Sequence, residues 1–411
     1  MTPPAHSPLP LQGIRVLEYA QYVAGPFAGM LLADLGADVV KIEPPDGDAW
    51  RRYEPFAAGE SRYFYALNRN KRSVVLDLKT DEGRLASRAL IRSADAVLHN
   101  LPPERARAFE LDRSSVRTVN PAAVWCCVSA LGSDGPEASL TAFDLVAQAL
   151  SGLLLANAQG SDGVPRRAGG IAMADFTAGL LAAVAVLAGV VGRERSVDRT
   201  GPAMEVSLLG AALAVQAQRF VSVQTIDPEV CRDVASLASP DDLARRARAQ
   251  RAADELEPYY RAYAALDGFV VVACLRESQR LAAAAVLGLD DPWAGNPQAP
   301  PVDDGERERR LALVRDFERR IAGEPVSVWV QRFRAAGVPA SEVRMLERLF
   351  HDDQVQANGL VHEVTHDGAG AVKLLGSLFK VDGLVTPPAR GIPALGEHTE
   401  EVLAQCRQPL A

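Results

Sequence analysis

From Phe176 to Gly192 the chain carries no charged residue, and a single carboxylate, Asp175, stands at the entrance to that run. So much Ala, Gly, Val and Leu has to leave water, and the fold must supply a surface to receive it. The run is shorter than the roughly 20 residues that cross a bilayer, and its small side chains suit close helix contact. A buried helix is expected, without a membrane span, ended by Arg193, Glu194 and Arg195. The preceding loop, Ala168-Gly169-Gly170-Ile171-Ala172-Met173-Ala174, is rich in small residues. An acid at such a junction is a helix cap, a buried pair or a working group. As a working group it would be a nucleophile or base in a dry pocket, with the helix N-terminus favouring its ionised form.

The first third alternates strand and helix patterns. Strands are expected at Ile14–Glu18, Asp38–Glu43, Ser73–Asp77, Ala96–Leu98 and Ala123–Val128. Helices are expected at Pro26–Leu35, opened by a first-turn proline, and at Asp81–Ser93. Parallel strands covered by helices follow from that alternation. A nucleotide fold is the first thought, yet the turn Val23-Ala24-Gly25-Pro26-Phe27-Ala28-Gly29 is not GxGxxG, and Pro26 removes an amide that a pyrophosphate would use. Glu43 imitates a ribose-binding acid, but without the glycines it is weak evidence. P-loop, HExxH, GxSxG and paired-histidine motifs are absent from the sequence.

At 411 residues the chain calls for two or three units. A formal charge of −8 and a pI near 5.4 tell against a nucleic-acid surface, and the basic run from Arg245 to Arg251 reads as a solvated helix face. Five cysteines without CxxC or CxH spacing indicate neither zinc nor a disulfide framework, and reduced thiols fit a cytoplasmic protein. The stretch Val206–Arg219 looks helical, and Ala235–Leu256 is charged and helical in pattern. Then come a turn and buried strand at Asp267–Cys274, a helix at Ser278–Leu287, a surface loop at Asn296–Gly305 and helical patterning over Glu306–Ala336. Strand-like sequence follows over Val364–Leu384, ending in Pro387-Pro388. The domain reading is therefore 1–220, a linker at 221–255, a small domain at 256–340, and 341–411 returning to the large domain.

Five blocks in order resemble the class III CoA-transferases, the family of formyl-CoA transferase and α-methylacyl-CoA racemase, from about Leu11 to Leu403. They are Ala24-Gly25-Pro26 with Leu32–Glu43; Asn68–Ser73 with Leu76–Lys79; Gly132-Ser133-Asp134-Gly135-Pro136; the Asp175 junction; and Leu395-Gly396-Glu397-His398-Thr399-Glu400-Glu401-Val402-Leu403. The resemblance implies an α/β fold: a large Rossmann-like domain whose parallel sheet is built from both chain ends, a smaller inserted α/β domain, and two subunits interlocked as a homodimer. It also implies that CoA and acyl-CoA enter as substrates, with no tightly bound cofactor.

The family's nucleophilic aspartate falls on Asp175. It would attack an acyl-CoA thioester to give a mixed anhydride, then an aspartyl-CoA thioester that the incoming acid resolves. Backbone amides near Gly169 and Gly170, or from the partner, would steady the oxyanions. The resemblance places CoA along Tyr22, Val23, Ala24, Leu76, Lys79, Asn100 and Leu101, with Lys79, Arg72 and Arg107 as phosphate partners. Asn68 and Lys71 would instead fix the turn before a strand. Formyl-CoA transferase has a glutamine at Val23, an arginine at Pro44 and a glycine-rich loop where residues 211–267 hold no glycine, so its substrates do not carry over. Racemases of the family use a histidine at Phe143, which cannot exchange a proton. Asp144 reads as a structural hydrogen bond opening a helix over Leu145–Leu155, and His398 as a structural contact. A racemase or isomerase using Asp175 as base, and a catalytically silent CoA-binding dimer, remain the alternatives.

Overall fold

The computed structural model describes residues 9–56, 60–156, 164–166, 170–223, 241, 255–297, 299, 301–366, 369–386 and 389–407. Gly169, Pro387, Pro388, nearly all of the 221–255 linker and the basic run at 245–251 lie outside them. Two compact units divide the chain: Met1–Val221 with Phe350–Ala411, and Ser222–Leu349.

The first unit is organised by six parallel strands: β1 (Arg15–Tyr19), β2 (Asp38–Glu43), β3 (Arg72–Val75), β4 (Ala96–His99), β5 (Val124–Ser129) and β6 (Ala203–Ser207), in the order β3-β2-β1-β4-β5-β6. The helices of this unit up to residue 221 are α1 (Ala24–Asp34), α2 (Arg62–Leu67), α3 (Asp81–Ile91), α4 (Pro103–Ala108), α5 (Arg113–Val119), α6 (Asp144–Leu150), α7 (Leu153–Ala156), α8 (Met173–Arg195) and α9 (Leu208–Ala214).

Successive strand residues face opposite layers, so a strand buried on both sides needs apolar residues in an unbroken run. Val16, Val39, Leu98 and Cys126 face a layer containing α1, α8 and α9; Leu17, Val40, Val97 and Trp125 face α3, α5 and Val402. The helix expected at Val206–Arg219 is present as α9 from Leu208 to Ala214, while its first two residues instead end the unexpected strand β6. That strand is only half-buried and five residues long, too short for its alternation to stand out.

Helix α8 is the uncharged run. Its glycines permit close approach: a Cβ at Gly179 would lie 2.7 Å from the Ala24 carbonyl oxygen, and one at Gly189 would lie 2.5 Å from Val124. The helix is long and apolar enough to span a membrane by length and composition, but Ala174, Ala178, Ala182, Val186 and Val190 pack into the core. The expectation of a buried helix holds for one face of α8, while Leu180, Leu181, Val184 and Val191 are exposed.

The parallel sheet also departs from expectation. All six strands come from residues 15–207, and none from the C-terminal end. The returning chain pairs with itself instead, as the antiparallel hairpins β10 (Val361–His366) with β11 (Gly370–Leu375) and β12 (Lys380–Val381) with β13 (Leu384–Val385). It closes with a helix at Thr399–Arg407 beside α3 and β3. The second unit contains a three-stranded antiparallel sheet, β7 (Tyr260–Ala265), β8 (Gly268–Ala273) and β9 (Ala340–Glu342), and helices at Glu277–Val286, Asp304–Ile321 and Val326–Ala335.

Under the C-terminal ends of β1 and β2 lies a cluster of buried charge. Glu18 bridges two lysines: Lys41 Nζ sits 2.9 Å from one carboxylate oxygen and Lys71 Nζ 2.8 Å from the other, with all three side chains fully buried. Lys41 also pairs with Asp48 at 2.8 Å and donates to the Ala20 carbonyl at 2.7 Å. Lys71 donates to the Pro26 carbonyl and to Asn68, each at 2.8 Å. Burial opposes the charge on Lys41, but Asp48, Glu18 and Glu43 outweigh it and hold the ammonium above its usual range. For Lys71 burial prevails over Glu18 and draws the pKa down to about 8. Beside them Arg51 clasps Glu43 through two 2.8 Å bonds and lies 3.6 Å from the Phe64 ring centroid.

Glu18→Gln removes the carboxylate that pairs with Lys71 and leaves Lys41 to Asp48, and should cost about 3–5 kcal/mol. Asp46→Asn, at the exposed pair with Arg52, should cost less than about 1 kcal/mol. Urea unfolding followed by a large-unit probe such as Trp50 or Trp125 fluorescence distinguishes the two.

Candidate functional site

Strand order reverses between β1 and β4, and in open parallel sheets ligands enter the crevice at the C-terminal ends of such a pair. Here Gln21, Tyr22, Val23 and Ala24 follow β1, and Asn100 and Leu101 follow β4. The Asn100 amide ties the two turns together, donating to the Gln21 carbonyl at 2.8 Å and accepting from Gln21 N at 3.1 Å. Tyr22 is held at φ 69°, a conformation that costs a bulky residue energy and persists only where its surroundings impose it. Its amide donates to Asp48 Oδ1 at 3.3 Å, and Asp48 is itself fixed by Lys41. The exposed ring then stands edge-on to Trp50 at 5.4 Å and to Phe143 at 5.6 Å. Val23 and Ala24 are buried at the start of α1.

Helix α8 brings Asp175 to this same end of the sheet. Phe176 meets Phe27 of α1 edge-to-face at 5.0 Å, and Gly179 lies under Ala24. Asp175 occupies the first turn of α8, whose N-cap residue, Ala172, offers no side-chain acceptor. Asp144, 5% exposed, supplies the cap: its Oδ1 accepts from Ala174 N at 2.8 Å and from Asp175 N at 3.3 Å, while Oδ2 accepts from Gln148 Nε2 at 2.6 Å. Among the described residues the Asp175 carboxylate has no hydrogen-bond partner.

Burial, reinforced by the Asp144 charge, raises the Asp175 carboxyl to about pKa 7. The helix N-terminus was expected to favour the ionised form; instead its Ala174 and Asp175 amides go to Asp144, and burial followed by the Asp144 charge favours the protonated form. Asp144 was expected to serve its own helix; it caps the helix of Asp175.

The expected CoA residues separate into two groups. Tyr22, Val23, Ala24, Asn100 and Leu101 line the crevice turns, Leu76 is buried just past β3, and Lys79 and Arg107 are exposed beyond β3 and β4 on the same edge. Arg72 does not join them. It begins β3, at the opposite edge of the sheet, where Asp38 accepts from its Nε at 2.9 Å and Glu401 pairs with it at 3.0 Å. A cavity of about 460 Å³ lies on that opposite edge, lined by Arg15, Asp38, Arg72 and Glu401, well away from Asp175. Asn68 and Lys71 hold the turn before β3, and Glu43 is spent on Arg51 and Ser73. Gly170 precedes α8 in an exposed turn at φ 75°. Phe143, 59% exposed, puts no proton-transfer group beside Asp175. Asp48 and Trp50 went unnoticed in the sequence, where neither belongs to a motif.

Residues 11–399 match the signature of CoA-transferase family III. The chain is 31% identical to the succinate–glutarate CoA-transferase of Agrobacterium fabrum, across 96% of this chain and 95% of that protein. It is 28% identical to human succinyl-CoA:glutarate CoA-transferase, across 96% and 86%. It is 27% identical to the acetyl-CoA:oxalate CoA-transferase of Acetobacter aceti, across 97% and 96%. Among solved structures, a CAIB/BAIF family protein from Brucella suis superposes with a TM-score of 0.75 at 26% identity, covering 97% of this chain and all of that one. An aspartate-to-alanine mutant of Rv3272 from Mycobacterium tuberculosis superposes with a TM-score of 0.76 at 25% identity, covering 96% and 99%. The unbroken match and the crevice geometry lead to one assignment: the chain belongs to CoA-transferase family III.

Proposed function

We propose that the protein moves CoA from an acyl-CoA donor to a free carboxylic acid with Asp175 as the nucleophile. The observation that carries this reading is a carboxylate with no hydrogen-bond partner among the described residues, raised to about pKa 7, at the crevice end of the sheet. A raised pKa makes the ionised carboxylate the more basic nucleophile, and about half of it is ionised near neutrality. An Asp175 oxygen attacks the thioester carbonyl carbon, the C–S bond breaks and CoA thiolate leaves, giving a mixed anhydride. The thiolate attacks the aspartyl carbonyl carbon and releases the donor acid as its carboxylate. The acceptor carboxylate then attacks the aspartyl-CoA thioester, and the expelled thiolate takes the new acyl group and frees Asp175. Crevice backbone, with Lys79 and Arg107 beyond it, would hold the nucleotide end of CoA.

The named relatives work on succinate, glutarate or oxalate, so succinyl-CoA with a dicarboxylate acceptor is the first pair to assay. A racemase would need a second proton-transfer group, and Phe143 supplies none. A second copy of the chain would cover Leu180, Leu181, Val184 and Val191, an apolar stripe of a kind that marks contact surfaces. Homodimer formation is proposed on that ground.

Intact-mass analysis after incubation with succinyl-CoA should show an acyl or CoA adduct that maps to Asp175 and disappears in Asp175→Asn. Loss of α-deuterium from a 2-methylacyl-CoA with no adduct from any donor would favour the isomerase; CoA binding with neither would leave a silent binding dimer. Since the carboxyl is raised, its ionised fraction grows as pH rises: adduct formation should increase about tenfold per pH unit below pH 7 and level off above it. The double variant Lys79→Ala/Arg107→Ala should raise the KM for acyl-CoA about tenfold and leave kcat within about twofold, measured by steady-state kinetics at low salt. Val184→Asp should shift the protein towards monomer in light scattering coupled to size exclusion.

A further inference from the structure

The amides of the first turn of α8 are the natural place to stabilise an anion, and the nearest anion in sequence is Asp175 itself. The structure gives that place to a different carboxylate. Asp144, thirty-one positions earlier and nearly buried, accepts from the Ala174 and Asp175 amides, and Gln148, one turn along α6, fixes its second oxygen. Asp175 is left on the same turn with a neighbouring negative charge and no donor of its own among the described residues.

We infer that Asp144 is a positioning residue for Asp175: by filling the N-terminal amides of α8 it anchors the turn that carries the nucleophile and denies that nucleophile the helix's stabilisation. The inference rests on the assignment of Asp175 as nucleophile and adds how its reactivity is set.

A structural cap alone would require only an oxygen acceptor, and Ser, Thr or Asn would serve as well as Asp. Choosing a charged acceptor costs something, because it buries a second carboxylate beside the first. Charged and titratable groups on the other elements packed against α8 do not take its place. Among the described residues α1 brings only Asp34, at its far end and paired with Arg69; α9 brings none; β4 brings His99, kept neutral by burial; β5 brings two thiols; β6 brings Glu205. Asp144 is the neighbouring charge that acts on Asp175. The arrangement yields a carboxylate more basic than an ordinary aspartate, held on a turn that cannot fray.

The test separates charge from capping. Asp144→Asn keeps a carbonyl acceptor for the two amides and loses the charge; Asp144→Ser does the same with a hydroxyl. The carboxyl carbons of aspartate, labelled with ¹³C, are titrated by NMR, and the Asp175 signal is identified by its absence in Asp175→Asn. In either uncharged variant the Asp175 midpoint should fall by on the order of one pH unit from the wild-type value, with the thermal transition nearly unchanged. The acid limb of the adduct-formation profile should move down by the same amount. Asp144→Glu, which keeps the charge, should leave the midpoint high. An unchanged or raised midpoint in Asp144→Asn and Asp144→Ser overturns the inference and reduces Asp144 to a plain cap. The titration requires no turnover, so an absence of adduct would count against the nucleophile assignment while the midpoint still decides the role of Asp144.

Discussion

Everything at the crevice depends on Glu18 holding two lysines at once. One buried carboxylate facing one lysine would be an isolated pair; facing two, it fixes the ends of β1 and β2, the first turn of α1 and the turn before β3 relative to one another. Its reach extends through Lys41 to Asp48, and from Asp48 to the Tyr22 backbone. The cost of burying these charges is met only because every partner is in place, so the cluster is intolerant of single losses. Gly29 belongs to the same arrangement: a Cβ there would come within 1.8 Å of a Glu18 oxygen.

The occupied turn at the start of α1 accounts for the missing glycine fingerprint. A dinucleotide site needs free amides at the start of α1, and here that turn is otherwise occupied. Val23 and Ala24 are buried, Pro26 has no amide to give, and the Pro26 carbonyl accepts from Lys71. The fold keeps the sheet order of nucleotide enzymes and leaves the crevice lined by the two turns that Asn100 ties together. The proposed nucleophile comes from α8, which crosses to the crevice because glycine and alanine let it lie close against α1 and β5.

Much of this could be read from the chain, and the failures have specific causes. The first five strands were legible because strands buried on both faces write continuous apolar runs, whereas β6 and β7 are half-buried and were missed. Asp175 was legible because a lone acid beside an uncharged helix has few roles. Its ionisation was misjudged because local sequence shows a helix terminus and cannot show that a residue thirty positions away has filled it. Arg72 went wrong for a related reason: the sequence places it near Leu76 and Lys79, but a strand lies between, and its two ends emerge on opposite edges of the sheet. The returning C-terminal chain was expected to extend the sheet, while its own hairpins satisfy its backbone first.

The closing segment has a consequence for when the molecule can finish folding. Ser73, at the heart of the first unit, accepts from the backbone of Gly396 through its hydroxyl and from His398 through its carbonyl, both at 2.9 Å, and Arg51 reaches the Pro393 carbonyl at 3.1 Å. Those partners follow the whole of the intervening unit in the chain. The strands can assemble early, but polar groups buried beside Glu43 stay unsealed until residues 393–398 are made, so the large unit reaches its final form only after the whole intervening unit has been made.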